Sequence, residues 1–247
     1  MDKLIYTAMT GAKHTAIRQD VVANNLANIS TNGFRSEVAA FRTAPVQGPG
    51  LATRAFAVES TTGADMSPGI LQQTGRDLDV AVQGNGWLAI QTANGNEAYT
   101  RNGHFVVNEQ GQLATTSGQV VLGEAGAINV PLDQQISIAD DGTITATPLS
   151  GAKNNAVVLG RLKLVNPDSA QLQRGSDGLF RQRNNQPADA DPTTRIASGY
   201  LEGSNVNAVD QLVQMISAAR QFETNLKLIS LAQQNAQAAD QLLGPAS

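Results

Sequence analysis

His14 and His104 are the only imidazoles in the chain, and there is no cysteine. That stock excludes thiolate zinc sites, iron–sulfur clusters, disulfides and cysteine nucleophiles, and it leaves no paired histidines for an HExxH motif. His14 sits at helical spacing with Gly11 before it and Arg18 after it, so no carboxylate orients it, and it reads as solvated or at an interface. His104 follows Asn102-Gly103, with no Gly-x-Ser-x-Gly elbow for it to serve. Asp77 and Asp79 share one face of an extended segment and could pose as paired carboxylates. With Arg76 beside them they read as surface or interface charge. Gly84-Asn85-Gly86-Trp87-Leu88-Ala89 matches GxGxxA. A dinucleotide loop must open a helix that holds the pyrophosphate, whereas Trp87 to Gln91 is strand-like and ends in Asn94-Gly95, so a tight β-turn is expected instead. Asp140-Asp141-Gly142 lacks the later oxygen ligands of a calcium loop and reads as a hairpin turn. These residues predict no catalytic, metal or cofactor site.

Composition narrows the class further. The 247 residues carry a net charge of −4, and 15% are charged against the roughly 25% of an average globular protein. Asn and Gln, about forty residues together, fill the gap. An acidic chain with ten aromatic residues is a poor nucleic-acid binder, lacking both the basic footprint and the stacking platforms. Uncharged polar surface with small apolar residues suits packing against other chains. The first thirty residues hold Lys3, Lys13, Arg18 and Asp20, so no secretory apolar run is present, and no stretch is long enough for a membrane span.

Changes of hydrophobic period divide the chain into an N-terminal helical part (1–35), an extended connector (36–75), a central β domain (76–200) and a C-terminal helical part (201–247). Ile5, Ala8, Ala12, Val22, Leu26 and Ile29 lie on one stagger of three and four, predicting a helix about 40 Å long at ~1.5 Å per residue, ending near Ser30 to Gly33. At the other end Ala208, Leu212, Met215, Ala219, Phe222, Leu226, Ile229, Gln233, Ala236, Asp240 and Leu243 alternate steps of four and three, the a/d seam of a coiled coil. Asn207 is its expected N-cap, and Gly244-Pro245 ends it. Between the ends, Asn94-Gly95, Asn102-Gly103, Gln110-Gly111, Ser117-Gly118 and Asp141-Gly142 punctuate short alternating runs, predicting an antiparallel sandwich or barrel. The class is therefore α+β: two long helices packed as a coiled-coil-like pair around an all-β domain. Stripes of this length are a signature of association.

Ala23-Asn24-Asn25-Leu26-Ala27-Asn28 puts three short amides into helical positions, which is poor helix chemistry unless they grip neighbouring backbone in a packed assembly.

This stretch also carries a resemblance. Residues 23–35, ANNLANISTNGFR, are similar to the N-terminal signature of the axial proteins of the bacterial flagellum, the rod and hook group. RDLDVAVQGNGWLAI (76–90), YTRNGHF (99–105) and SGYLEGSNVN (198–207) agree with it in order, so the resemblance spans nearly the whole chain. Hook members carry a larger central region. Distal-rod members typically have a GDGFF-like turn where this chain has Gly84-Asn85-Gly86-Trp87-Leu88, and the short connector FRTAPVQGPGLATRAF (41–56) resembles that of the proximal-rod type. A distal-rod or hook-type member is the alternative, and outside the group a β-domain binding protein with oligomerising helices.

The resemblance implies a structural, non-enzymatic subunit that assembles with copies of itself and with other rod proteins into the hollow shaft carrying torque across the periplasm. It implies export through the flagellar type III apparatus without a Sec signal. In a free monomer the apolar stripes would be unsatisfied, so residues 1 to about 30 and 205–247 are expected to be largely disordered until assembly. It assigns no cofactor and no metal. The expected assembly residues are Ile5, Ala8, Ala12, Val22, Asn24, Asn25, Leu26, Asn28 and Ile29 on the first helix and Leu212, Met215, Ala219, Phe222, Leu226, Ile229 and Leu243 on the last. The motif positions are Gly33, Phe34, Arg35, Leu78, Asp79, Gly84, Gly86, Tyr99, Arg101, Gly103, Gly199, Ser204, Asn205 and Val206.

Overall fold

The computed structural model describes residues 2–45, 55–131, 134–148 and 156–243, with the backbone alone for 2–4, 43–45, 55–62 and 239–243. In chain order the elements are α1 (Asp2–Ala27), β1 (Glu37–Pro45), β2 (Ala55–Ala64), β3 (Leu71–Gln73), β4 (Val80–Gln83), β5 (Trp87–Gln91), β6 (Glu97–Thr100), β7 (Phe105–Val107), β8 (Leu113–Thr115) and β9 (Val120–Gly123). There follow β10 (Gly126–Ala127), β11 (Gln134–Ile138), β12 (Thr143–Pro148), β13 (Val157–Arg161), β14 (Leu164–Val165), a 3-10 turn (Ser169–Gln171), β15 (Leu172–Arg174), β16 (Phe180–Gln182), β17 (Arg195–Ser198), β18 (Tyr200–Glu202) and α2 (Ala208–Leu243). They fall into two compact units, one of residues 1–28, 37–65 and 206–247, the other of 29–36 and 66–205.

In the first unit α1 and α2 pack lengthwise. They run antiparallel: the Asn225 amide donates to the Thr15 hydroxyl at 3.3 Å, while Asn25, ten residues further along α1, meets Gln211 at 3.5 Å. The buried positions of α1 are Ala8, Ala12, Thr15, Val21, Val22 and Asn25. Those of α2 are Ala218 and Ala232, flanked on the same face by half-buried Gln211, Met215, Phe222, Asn225, Ile229 and Ala236. This stripe keeps the three/four spacing of the expected seam but is rotated from it. Leu212 and Leu226, each 48% exposed, lie off it. The reason is the short distance at which small side chains let two helices meet: a Cβ on Gly11, mid-helix, would come within 3.3 Å of the Asn225 Oδ1. Asn207 caps α2 as its spacing predicts, its Oδ1 accepting from the Val209 N–H at 3.0 Å.

Residues 37–64, read above as part of an extended connector, instead contain an antiparallel ribbon in which β1 pairs with β2 from Glu37↔Ala64 to Pro45↔Ala55, with a bulge at Ala40/Phe41. Among the described side chains of β1 none is fully buried, and Val38 and Phe41 are both exposed, so its sequence carries little apolar alternation.

The second unit is antiparallel β. Its main sheet has the order β15-β16-β6-β5-β9-β8-β7, with β10 on β9 and β14 on β5; β11-β12-β13 make a second sheet, and β4 with β17 and β3 with β18 make two pairs. The core draws Leu88, Ile90, Phe105, Leu113, Val121, Ile144, Leu162 and Ile196 from several of these sheets, each no more than 1% exposed. Four of the anticipated turns close with the same bond, from the glycine N–H to the carbonyl three residues back: Gly95 to Thr92, Gly111 to Asn108, Gly118 to Thr115 and Gly142 to Ala139. Gly84-Asn85-Gly86 leads into strand β5, not a helix.

Candidate functional site

The four sequence motifs meet inside the second unit. After α1 the chain turns through Thr31 and Asn32 into Gly33, whose φ of +68° is open to glycine and strained for other residues. Its N–H donates to the Glu202 carbonyl at 2.7 Å, and a Cβ there would fall 2.3 Å from the Arg101 carbonyl carbon, so the first, third and fourth motifs touch through bare backbone. Gly103 is constrained in the same way, since a Cβ on it would lie 1.9 Å from the Val80 carbonyl oxygen.

At this point three charged side chains are almost fully buried: Arg35 and Glu202 at 1% exposed and Arg101 at 3%. The Glu202 carboxylate forms an ion pair with Arg35 Nη2 at 2.8 Å through one oxygen and accepts a hydrogen bond from Arg101 Nη1 at 3.0 Å through the other. The first oxygen also accepts from the Gly69 N–H at 2.9 Å. Arg101 donates further to the carbonyls of Val82, at 3.1 Å, and Gly84, and Arg35 donates to the Ser67 carbonyl. Trp87 lies beneath both guanidiniums, whose carbons stand 5.3 Å (Arg101) and 6.0 Å (Arg35) from its ring centroid, and its own ring packs 4.6 Å from Phe180. Burial pulls the Arg101 pKa down and Glu202 pulls it back up; arginine still stays charged. One carboxylate thus serves two cations in a site that excludes water, an arrangement that joins distant parts of one chain.

Around this cluster Asn205 accepts from the Ser36 N–H at 2.7 Å and donates to the Ser67 carbonyl at 3.0 Å. Arg174 donates to the Arg35 carbonyl and covers the Phe34 ring at 4.4 Å. Gly199 donates its N–H to the Asp79 carbonyl at 2.8 Å. Asp79 is not surface charge: at 1% exposed it is buried, and its Oδ1 bonds His104 Nδ1 at 2.8 Å, with Arg76 at 3.4 Å. His104 is therefore held by a carboxylate its neighbours in sequence did not reveal. Tyr99, also buried, accepts the Ala188 N–H on its hydroxyl at 2.7 Å, and burial pushes its phenol up to about 12. Leu78 packs partly buried on the core, Gly86 is buried, and Ser204 is half-buried.

In the helical unit Asn25 grips backbone, as three amides in a helix invited one to ask. Its Nδ2 donates to the Glu37 carbonyl at 2.9 Å and its Oδ1 accepts the Glu37 N–H at 2.7 Å. Asn28 reaches back to the Asn24 carbonyl at 2.9 Å, and Asn24 is exposed. Ala8, Ala12, Val22 and Val206 are buried; Ile5, Leu26, Met215, Ala219, Phe222 and Ile229 are half-buried; Leu212 and Leu226 are exposed. Ile29, also half-buried, belongs to the second unit. The side chain of Leu243 lies outside the described residues. His14 is half-buried, its ring edge-on to Phe41 at 4.9 Å. Sequence reasoning passed over Glu202 and Trp87 as site residues. The available signal was that Glu202 is the only acidic residue between Asp191 and Asp210.

Three family descriptions match the chain in order: "Flagella basal body rod protein" over residues 5–35, "Flagellar hook protein FlgE/F/G D1 domain" over 81–146 and "Flagellar basal body rod FlgEFG protein C-terminal" over 197–242. The chain belongs to the flagellar basal-body rod protein family, whose members are structural subunits of the rod. Within it the chain is 51% identical to the flagellar basal-body rod protein FlgF of Escherichia coli (strain K12) and 49% identical to that of Salmonella typhimurium (strain LT2), each over 98% of this chain and 99% of the relative. Its identity to the rod protein FlgG of Buchnera aphidicola subsp. Acyrthosiphon pisum is lower, 33% over 96% of this chain and 98% of the relative.

Proposed function

We propose that the chain is a proximal-rod subunit that polymerises with copies of itself and with neighbouring rod proteins, its helices packing against those of its neighbours along the rod. One observation carries this reading: α2 leaves Val209, Leu212, Val213, Ile216, Leu226 and Leu231 between 48% and 67% exposed, away from the stripe it turns to α1. A 36-residue helix with one face on its partner and a second apolar face open needs further helices to cover it. A contact repeated by rotation and rise covers such a face along an open tube.

Two finer features of the fold belong to this reading. The three/four spacing of Gln211, Met215, Ala218, Phe222, Asn225, Ile229, Ala232 and Ala236 supports a coiled-coil-like seam. The single core drawn from several sheets supports a barrel-like closure of the β unit. The seam is made largely of small and polar side chains, so the terminal helices are weakly held until neighbours cover them, which suits passage through the type III export apparatus and arrival at the periplasmic rod.

Leu226→Asp tests the assignment. It places a charge on an exposed position, so the isolated chain keeps its fold, while burial of that charge in the rod abolishes assembly. The expected result is loss of swimming with unchanged unfolding followed by Trp87 fluorescence. Normal swimming overturns the reading.

A further inference from the structure

The chain passes between its two units at four peptide links, 28/29, 36/37, 65/66 and 205/206. Force passed along the chain from one unit to the other travels through these links. Two of them, 65/66 and 205/206, lead directly into paired strands. β3 and β18 are antiparallel in the register Leu71↔Glu202, Gln72↔Leu201 and Gln73↔Tyr200, so residues 66 and 205 leave the pair at the same end. The opposite end is closed by the Thr74 and Gly75 N–H groups on the Gly199 carbonyl. Tension drawing residues 66 and 205 apart therefore loads the ladder one bond at a time from its open mouth. This is the weak direction for an antiparallel pair, because its bonds lie perpendicular to the strands and along the pull.

The buried charges sit at this mouth. Beyond the last rung the Gly203 N–H donates to the Ile70 carbonyl at 2.9 Å; next the Gly69 N–H meets the Glu202 carboxylate at 2.9 Å; then the Asn205 amide meets the Ser67 carbonyl at 3.0 Å and its hydroxyl at 3.3 Å. Arg35 lies across both sides at once, donating to the Ser67 carbonyl and pairing with Glu202. The third entering segment is tied in through the Ser36 N–H on Asn205 Oδ1 at 2.7 Å and the Asn205 N–H on the Phe34 carbonyl at 3.3 Å. To open the mouth, several of these bonds must break together, and breaking them strands buried charge.

We propose that Arg35, Glu202, Asn205 and Ser67 form a load-bearing clasp that ties together the chain at three of the four links, 36/37, 65/66 and 205/206, and keeps tension from peeling β3 off β18. The clasp rests on the rod-subunit reading for its use but not for its existence, and single-molecule extension of the full chain tests it directly. With no native cysteine to interfere, Asp65→Cys and Asn207→Cys supply handles across the mouth. A second pair, Asn94→Cys and Asn184→Cys, pulls on exposed points elsewhere in the β unit. Asn205→Ala is expected to halve the rupture force between 65 and 207, or lower it further, while leaving that between 94 and 184 within a tenth of the parent. Glu202→Gln gives a second reading in the same assay. An unchanged force across 65 and 207, or equal losses at both handle pairs, overturns the clasp. Normal swimming of Leu226→Asp would overturn the rod reading and leave the force result standing.

Discussion

Glu202→Gln removes the one negative charge between two buried cations and leaves the shape of the side chain. In the parent each Glu202 oxygen pairs with a guanidinium, at 2.8 and 3.0 Å, with all three side chains at 3% exposure or less. A glutamine can accept at one position only; its NH2 group points a donor at the other arginine, and Arg35 and Arg101 then face each other as unpaired like charges. Breaking one partner out of a buried pair costs about 3–5 kcal/mol. For a β unit of about 150 residues, each kcal/mol moves the melting temperature by roughly 2–4 °C. A fall of about 6–20 °C is expected. Trp87 is the only tryptophan and lies under both guanidiniums, so its fluorescence reports unfolding at the perturbed site. Because the charges are buried, the deficit should persist from low salt to about 0.5 M, where pairs on the surface are screened. A melting temperature within 3 °C of the parent, or a deficit that salt removes, would refute the reasoning.

Three further outcomes are expected. Tyr99 has its phenol raised to about 12 by burial, above the ordinary 10, so the stability it contributes is fully present below pH 10 and is lost as pH rises toward 12; melts between pH 9 and 11.5 should show an alkaline fall that Tyr99→Phe reduces. Asn25→Leu deletes two backbone hydrogen bonds worth about 1 kcal/mol each and should lower the unfolding stability of the isolated chain followed by helix circular dichroism, whereas Asn24→Leu, at an exposed position, should not; equal effects would remove any special role for Asn25. Hydrogen exchange on dilute monomer should find weak protection in α1 and α2 and strong protection in β5 and β8, and strong protection at both ends would contradict loosely held helices.

Both long helices and the hairpin turns were legible because local chemistry decides them: Asn207 caps, the small and polar run at Ser30 to Gly33 stops, and Asn-Gly or Asp-Gly bends. The seam was legible in period and at Met215, Phe222, Ile229 and Ala236, but not at the positions that alternate with them. Leu212 and Leu226 have the larger apolar side chains, yet Ala218, Ala232 and Asn225 make the contact, since close approach favours small groups over hydrophobic ones. β1 and β2 were hidden because their pairing rests on a backbone ladder that leaves no signature in the sequence. In the buried cluster, Arg35 and Arg101 were visible as motif positions. Their partner was not, because a pairing across most of the chain leaves no local pattern. The same holds for Asp79 and His104, joined only when β7 is brought alongside the start of β4.

Arg35, Arg101 and Glu202 also impose an order in time. A chain is made from its N-terminus, so both arginines exist well before the carboxylate that neutralises them, and the cluster cannot close until residue 202 of 247 has appeared. Until then, burying the two cations together is opposed by their own repulsion and desolvation. The β unit thus carries a built-in delay: its buried charged cluster is completed only once the strand that bears Glu202 has been made.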